Sequence, residues 1–443
     1  MKQNSVVELA NDLLIPGLNA ERSGLDKIDA WYRWDPEHID LPRKAGLEQQ
    51  ALRGLSETPW LGLVVTTIAQ QLVAELVRSS EVTDTSAIWQ PWLRNRMQSR
   101  QRAIHRAALA YGYAYTTVMP GDQGAVIRGY SPRDMYAVYQ DPVVDEYPMY
   151  YVRKIGNRYV VVDDTAAYTL VETQGTSGPR MQYVSYEEHG VGVAPAIRYS
   201  NQIDLEGRTP GEVEPFIDMA KRINKTSFDR MLAQHFNSWK VRTATGLDEP
   251  GTPEEQDAQK LILRQNDILV GGEGVTFGSL PETSLDGFIK AWESDVEALA
   301  AVSQTPAHSL TGKMINLSAD AITEARSILD LKANERKLGF GDSHAQTLRL
   351  ASHVEGRERD AADFTLSIQW ADLGSRSLSQ AADALGKIAS QLGVPAEKLW
   401  DRIPGVSAED VTVWLKWREA HPPEETVIAS ALRAQISGSD SAG

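Results

Sequence analysis

Residues 212–239 read EVEPFIDMAKRINKTSFDRMLAQHFNSW, and this stretch decides how the chain folds. Its apolar residues recur mostly three to five positions apart, which places them broadly on one face of a helix. The opposite face carries charges of both signs, as a solvated surface does. The sequence therefore predicts a long helix with one face for packing. The candidate packing residues are Phe216, Ile223, Phe228 and Met231.

A second helix of the same kind is predicted for residues 284–303, SLDGFIKAWESDVEALAAVS. Between the two helices lie extended runs such as KVRTATG and GVTFGSL, which favour strands. Two long helices that bracket a small β-rich insert indicate an antiparallel pair carrying a compact tip.

The first 210 residues predict an α+β domain, with helices first and strands after them. We expect a short helix over residues 5–14 that stops at Pro16 and Gly17, and one buried helix over residues 58–77. Another helical pattern begins at Trp89 and ends at Gly112. Beyond Gly112 the pattern becomes near-alternating and rich in Val, Tyr and Thr, which predicts an antiparallel sheet.

The chain after the second long helix begins with a segment, residues 305–317, that has neither helical nor strand periodicity. Ser318 is a suitable N-cap for a helix running to about Val354. The run DFTLSIQW then predicts a strand, and three short helices follow before a small, polar carboxyl end. A loop between two long helices is a favoured place for function.

Composition restricts the classes of protein. The 443 residues allow roughly two to four domains, and 42% hydrophobic residues suffice for substantial cores. The chain has no cysteine, which excludes disulfides and thiolate metal sites and fits an intracellular compartment. We expect neither export nor membrane insertion, since no signal peptide or membrane-spanning run is evident. The net charge of −15 argues against general coating of nucleic acid.

Catalytic motifs are not found. TGKM, beginning at Thr311, lacks the upstream glycine and the Ser or Thr of a phosphate loop. GGEGVTFG has Phe277 where a dinucleotide fingerprint needs its third glycine. The eight histidines form no cluster at the spacing typical of metal ligands. A basic helix side could face phosphates, although such sides more often are solvated or pair with acids. It comprises Arg96, Arg100, Arg102 and Arg106.

Several segments, in order over most of the chain, resemble the portal proteins of tailed bacteriophages, particularly phages of actinobacteria. They are TPWLGLVVTTIAQQLV, HRAALAYGYAYTTV, SPRDMYAVYQDP, RINKTSFDRMLAQHFNSWKVRTATGL, TPAHSLTGKMINLSADAITEA and SIQWADLGSRSLSQAADALGKI. Each segment alone is weak, but the combination is specific. Similar proteins form a dodecameric ring at one capsid vertex, through which double-stranded DNA enters during packaging and leaves on infection.

The resemblance implies a portal fold whose parts follow the predicted elements. They are an α+β wing (1–211), a stem helix (212–239), a β-rich clip (240–281), a second stem helix (282–303), a tunnel loop (304–317), a long kinked helix and strand returning to the wing (318–375), a short helical crown (376–423) and a partly disordered tail (424–443). A short clip and a brief tail depart from the family and leave the crown size and the adaptor-binding surface open.

The resemblance also implies site residues and partners. Thr311, Lys313 and Asn316 would face DNA in the tunnel loop, with an ordinary solvated loop as the alternative. Arg242, Thr243 and Thr245 would contact partners at the clip. The expected partners are further copies in a ring of about twelve, double-stranded DNA, the terminase large subunit, the major capsid protein, scaffold and the head–tail adaptor. The expected location is the virion, with assembly in the host cytoplasm.

No cofactor, metal or enzymatic activity is expected, and the energy for packaging would come from a separate ATPase. Two other classes stay open from the residues alone. One is a nuclease or hydrolase that gathers scattered Asp and Glu residues around a divalent metal. The other is a scaffold or capsid adaptor without a channel. Activity on plasmid DNA would distinguish the first from a conduit, and subunit stoichiometry would distinguish the second.

Overall fold

The computed structural model describes residues 1–34, 39–41, 45–175, 178–238, 242–245, 274, 276–279, 283–312, 319–371, 378–406 and 408–421. It is an α+β protein, as the sequence predicts. In the described part of the chain, no helix is both long and apolar enough to cross a membrane.

Helices dominate the amino-terminal third. They are α1 (Gln3–Leu9), a π-helical turn (Ala10–Leu14), α2 (Ile15–Arg33), α3 (Leu47–Ser56), α4 (Trp60–Ala69), α5 (Ser86–Arg94) and α6 (Met97–Tyr111), with strand β1 (Ala74–Arg78) between α4 and α5. Strands follow. They are β2 (Tyr113–Met119), β3 (Val126–Tyr130), β4 (Met135–Val138), β5 (Tyr150–Ile155), β6 (Arg158–Val162), β7 (Ala166–Gly175), β8 (Gly178–Glu188) and β9 (Ala196–Ser200).

The second half begins with a 3-10 turn (Glu214–Phe216), α7 (Ile217–Ser238), β10 (Arg242–Thr245), β11 (Thr276–Ser279) and α8 (Asp286–Val302). It continues with α9 (Ala307–Thr311), α10 (Ala319–Val354), α11 (Glu358–Ala361), β12 (Ser367–Trp370), α12 (Leu378–Leu392), 3-10 turns at Ala396–Lys398 and Trp400–Arg402, and α13 (Ala408–Ala420).

Within the described ranges, the strands form four antiparallel sheets. Three strands pair in the order β3-β2-β9, and five form the meander β4-β5-β6-β7-β8. β1 pairs with β12, and β10 pairs with β11. The main core lies between the three-stranded sheet and the helices α4, α6 and α10, whereas α1 and α2 cover the meander.

The amino-terminal helix does not stop at Pro16 and Gly17, so that prediction was wrong. Val6, Ala10, Leu14 and Leu18 form a fully buried stripe on the meander. A spacing of four exceeds 3.6 residues per turn, so such a stripe drifts around an α-helix, and the π-helical turn brings it back. Pro16 lies in the first turn after it, where its missing N–H removes no α-helical bond. Gly17 leaves room for the ring of Tyr136, because a Cβ at position 17 would lie 2.5 Å from a carbon of that ring.

Two other helix predictions were wrong in the opposite sense, because they were too long. The pattern over residues 58–77 divides into α4 and β1, because β1 pairs with distant β12 and Gln101 hydrogen bonds to both backbone groups of Ala74. The pattern from Trp89 to Gly112 divides at Asn95. The Asn95 side chain bonds the carbonyls of Pro91 and Ala125 and the N–H of Ile127, and it thereby ends α5.

Gly112 ends α6, as predicted. Its φ is +95°, and its N–H donates to the carbonyl of Ala108 at 2.9 Å. A Cβ at this position would lie 1.9 Å from the carbonyl oxygen of Thr209. A left-handed conformation and a close backbone approach both require glycine here.

We therefore expect Gly112→Ala to lower the free energy of unfolding by roughly 2–3 kcal/mol, from conformational strain plus displacement of the Thr209 segment. Chemical denaturation would measure it. Gly24→Ala is the matched control, because Gly24 lies within α2 and a Cβ there would meet nothing within 4 Å. The control should gain about 1 kcal/mol of stability. Equal stability of the two variants would contradict the prediction.

Candidate functional site

The predicted helical pair forms an antiparallel hairpin. Arg222 on α7 pairs with Asp295 on α8, its Nε 3.0 Å from the carboxylate oxygen. Towards the outer end, the amide of Asn237 exchanges two hydrogen bonds with the backbone of Thr283, at 2.8 and 3.1 Å. Beyond that point, β10 and β11 pair with Arg242 opposite Ser279. The partners move in opposite directions along the chain, so a two-stranded ribbon continues the hairpin.

Burial of α7 decreases towards its outer end. Ile223 is fully buried, Phe228 is 5% exposed, and Phe216 and Met231 are half-buried. No described residue of α7 beyond Phe228 is buried, and Phe236 is 58% exposed. The inner half of the hairpin therefore belongs to the core of this chain, whereas the outer half projects from it.

The predicted packing residues thus contact other parts of the same chain. Ile223 lies in the main core together with Val296 and Leu299 of α8, and Phe216 packs against that core. Next to Ile223, the buried amide oxygen of Asn224 accepts hydrogen bonds from the backbone N–H of Thr58 and from the Trp60 ring, at 3.1 and 3.2 Å. Contacts of these residues with neighbouring copies stay a prediction.

A buried ionic cluster joins the inner ends of the hairpin to α10. Lys332 Nζ lies 2.6 Å from one carboxylate oxygen of Glu212, and it donates to the backbone carbonyl of Ser303 at 2.8 Å. Arg336 donates to the other oxygen of Glu212 at 3.0 Å and to Asn201 Oδ1 at 2.7 Å. Glu212 precedes α7 and Ser303 follows α8, so one cluster holds both inner ends of the hairpin. We call these five residues the junction.

The charged side chains of the junction are buried and paired, and Arg336 also meets the exposed carboxylate of Glu335 at 3.0 Å. The side chains of Glu212, Lys332 and Arg336 are only 5%, 5% and 2% exposed. Burial alone would raise the pKa of Glu212, but the Lys332 ammonium and the Arg336 guanidinium together hold that pKa below its ordinary value. Burial lowers the pKa of Lys332, and the Glu212 carboxylate opposes that shift. The carboxylate therefore stays ionised and is the main partner of two buried cations.

The sequence reasoning missed the junction, although one signal was available. Lys332 and Arg336 fall on the same face of α10 as Leu329, Ala333 and Phe340, all of which are buried. Cations at helical spacing within an apolar stripe indicate buried partners elsewhere in the chain. The identity of the partner was hidden, because Glu212 lies 120 positions before Lys332.

Two buried histidines also link α6 to α10. His105 and His344 approach through their Nε2 atoms at 2.8 Å. The Nδ1 of His105 faces the carbonyl of Leu72 at 3.2 Å, so it must carry the proton, and His344 Nε2 must then donate to His105. The Nδ1 of His344 accepts from the Tyr199 hydroxyl at 2.9 Å. Both imidazoles are therefore neutral.

Burial lowers the pKa of His105 to about 4 and that of His344 well below its ordinary value. Phe340 stacks on His105 with ring centroids 5.1 Å apart, and Trp92 meets His344 edge-on at 4.7 Å. His105 is therefore a packed core histidine, with no exposed surface.

The other predicted site residues lie at the loop and the ribbon. The segment predicted to lack periodicity contains helix α9, which starts after Pro306 and ends where Gly312 takes φ +67°. Thr311 is half-exposed, and its hydroxyl donates to the carbonyl of Ala307. Lys313 and Asn316 lie outside the described residues. Arg242, Thr243 and Thr245 belong to β10, opposite Ser279, Gly278 and Thr276 of β11. The roles of these residues in contacting DNA or partner proteins stay predictions.

Across the described ranges, no group of three or more His, Asp or Glu side chains is placed to hold a metal ion.

Comparison with known proteins identifies a family. The model of the family described as phage portal protein, SPP1 Gp6-like, matches residues 12–422. No curated protein matches the chain in sequence.

Among solved structures, the chain is similar to proteins of gene transfer agent particles. A chain from the neck of an empty particle, computed with C6 symmetry, has a TM-score of 0.46 and 11% identity, over 84% of this chain and 97% of that chain. A chain from the native virion has a TM-score of 0.45, 11% identity and the same coverage of 84% and 97%. A chain from the native neck, computed with C12 symmetry, has a TM-score of 0.43 and 12% identity, over 85% and 95%.

Proposed function

The chain belongs to the SPP1 Gp6-like phage portal family, and we propose that it forms a ring of about twelve copies at one vertex of a phage capsid. Double-stranded DNA passes through the ring during packaging and ejection. The ring docks the terminase large subunit during packaging and the head–tail adaptor afterwards, and it contacts the major capsid protein and scaffold. The family match over residues 12–422 carries this proposal.

The division into parts follows the same family. Residues 1–211 form the wing, and residues 318–375 return to it. Residues 212–239 and 282–303 form the stem, and residues 240–281 form the clip. The tunnel loop, the crown and the tail are residues 304–317, 376–423 and 424–443. The projecting hairpin and its ribbon support the assignment of stem and clip.

Exposed apolar side chains on the hairpin support assembly into a ring. Phe236 on α7 is 58% exposed and Ile289 on α8 is 40% exposed. Leu47 and Leu55 of α3, a helix that packs on α7, are 84% and 70% exposed. Exposed apolar side chains on three neighbouring helices favour contacts between proteins, because an interface removes them from water. In the ring, neighbouring copies cover these residues.

A conduit needs passage of DNA more than affinity for it. Affinity for DNA grows with the number of Lys and Arg residues that contact phosphates, and this chain has a net charge of −15. We assign the limited contacts to Thr311, Lys313 and Asn316 in the tunnel loop. Arg242, Thr243 and Thr245 in the clip contact the terminase or the adaptor.

The portal family is structural and is not a family of enzymes. The work of packaging therefore comes from a separate ATPase that docks on the ring. A metal-dependent nuclease and a channel-less adaptor are the two functions against which the proposal is tested.

Native mass spectrometry and negative-stain images of the purified protein test the proposal. We expect a closed ring of about twelve copies with a central hole. A compact dimer with a cleft would contradict it, and metal-dependent cleavage of plasmid DNA would favour a nuclease instead. Assembly should be measured with and without scaffold, because scaffold can be needed for closure.

The tunnel loop gives a further test. Lys313→Ala should leave ring assembly intact and alter packaging or retention of DNA, because it removes a cation next to the passing backbone. DNA content per virion measures the effect. Lys290→Ala on the exposed face of α8 is the control and should change nothing. Unchanged DNA content in the Lys313 variant would show that Lys313 does not contact the DNA.

A further inference from the structure

A groove of about 1560 Å³ opens between α4, α6 and β3. Its walls include Trp60, Leu63, Ile104 and Tyr130, which make it largely apolar. Its lining also includes Leu310 of α9, within the segment assigned to the tunnel loop. We call it the arginine groove, because Arg100, Arg106 and Arg128 also line it.

These arginines have no acidic partners within the described part of the chain. Arg100, Arg106 and Arg128 are exposed, and none of them forms an ion pair with a described carboxylate. By contrast, Arg33 at the rim is held by Asp29 at 2.7 Å. Three unpaired guanidinium groups over aromatic walls fit a ligand that presents carboxylates beside apolar side chains.

Such a surface exists on α10 of the same chain. Ile328, Leu331, Glu335, Leu338 and Asp342 are exposed and recur at spacings of three and four, so they form one stripe, the α10 stripe. Leu331 and Leu338 are 70% and 74% exposed. Glu335 is 66% exposed although one of its oxygens faces Arg336, and Asp342 forms no ion pair with any described residue.

The α10 stripe and the arginine groove are complementary in charge and in apolar character. Glu335 and Asp342 are seven positions apart and lie on one face of α10, whereas Arg100, Arg106 and Arg128 line the groove from α6 and β3. The two leucines of the stripe match the apolar walls. No described residue of α10 lines the groove, so the two surfaces are separate parts of one chain.

We propose that the α10 stripe of one copy docks in the arginine groove of the next copy. The contact joins two different patches, which generates a heterologous interface that closes by rotation. The inference rests on the proposed ring and deepens it by naming the two surfaces that meet. A basic groove also suits DNA, but DNA leaves the exposed leucines of α10 uncovered, whereas a second copy covers both surfaces.

Charge exchange tests the pairing. The groove variant is Arg100→Glu with Arg106→Glu, and the stripe variant is Glu335→Arg with Asp342→Arg. Each alone should reduce the fraction of protein in rings by at least about tenfold, because like charges then face each other. The four substitutions together should restore rings to within about twofold of the wild type. All four side chains are exposed, and thermal unfolding checks that each variant is folded.

Cross-linking gives a second readout that does not depend on charge. The chain has no cysteine, so Ala103→Cys with Leu338→Cys supplies the only two thiols. Ala103 lines the groove, and Leu338 lies on the stripe. A short bismaleimide should produce a ladder of covalent oligomers from assembled protein. Ala103→Cys alone is the control and should give no ladder.

The outcomes separate this inference from the proposed function. Wild-type protein that forms no ring, with or without scaffold, contradicts both. Wild-type rings with unaffected single-surface variants, no rescue by the combined variant, or assembled rings without a cross-linked ladder contradict this inference alone. A groove variant that assembles normally but retains less DNA would show that the groove contacts DNA instead.

Discussion

Glu212→Gln should lower the free energy of unfolding by about 3–5 kcal/mol, because it leaves the buried Lys332 and Arg336 without their shared carboxylate. The amide can still accept hydrogen bonds, but it supplies no charge to offset the desolvation of two cations. Urea denaturation of the wild-type and variant proteins would measure the loss. The same variant should loosen both inner ends of the hairpin, since Lys332 also holds the carbonyl of Ser303.

A matched control distinguishes the buried junction from ordinary surface charge. Asp204 pairs with Arg208 at 2.7 Å, but the two side chains are 38% and 73% exposed. Asp204→Asn should therefore have a much smaller effect on the free energy of unfolding than Glu212→Gln. Adding Lys332→Met to the Glu212 variant should recover part of the loss, because it removes the buried ammonium left without a carboxylate, whereas Arg336 keeps its ion pair with Glu335. A Glu212 variant as stable as the control would show that the junction adds no stability.

Acid should weaken the fold through the buried histidines before it protonates the ion-paired carboxylates. In the folded protein, the pKa of His105 is about 4 rather than 6.5, and that of His344 is also lowered. The unfolded chain therefore binds more protons below pH 6.5, so stability is complete above that pH and decreases as the pH falls. Each histidine contributes about 1.4 kcal/mol per pH unit, or about 3 kcal/mol for His105 by pH 4.

The measurement is the slope of unfolding free energy between pH 4.5 and 6.5 in wild type and His105→Gln. Burial raises the pKa of Glu21 and Glu75, and these groups act in the opposite direction, so the difference between the slopes is the informative quantity. In His105→Gln this slope should be smaller by about 1.4 kcal/mol per pH unit, which is the contribution of one histidine. His353→Gln is the control, because His353 is 39% exposed in its side chain. Identical slopes in wild type and His105→Gln would contradict the prediction.

The sequence predicted the elements whose stabilising contacts are local. The stripe from Phe216 to Phe236 and the alternation after Gly112 each follow from one period, and both elements are present. The strand β1 was mistaken for helix because its apolar residues also fit helical spacing. Only the pairing with β12, almost 300 positions later, decides between the two. The helix stop predicted at Pro16 was wrong for a similar reason. The helix tolerates a proline there because of the π-helical turn that precedes it.

The candidate sites divide in the same way. Thr311, Lys313, Asn316 and the β10 residues came from resemblance to a family, and their roles stay predictions. The junction and the arginine groove bring together residues from three or more elements, and no local pattern gives their geometry. Lys332 and Arg336 were visible as cations on an apolar face, but their partner was not. Arg100 and Arg106 were singled out as a basic helix side, whereas the walls beside them come from α4 and β3.

The junction also determines how the hairpin responds to load. Helix α7 has 22 residues, so it extends about 33 Å from its inner end. A sideways force on the ribbon bends the hairpin about its buried stretch near Ile223 and Phe228, and Glu212 and Ser303, which lie behind that stretch, take up the remaining torque. Both are bonded to Lys332, so the torque passes directly into α10. A load at the tip is thus transmitted to α10 through the buried ion cluster.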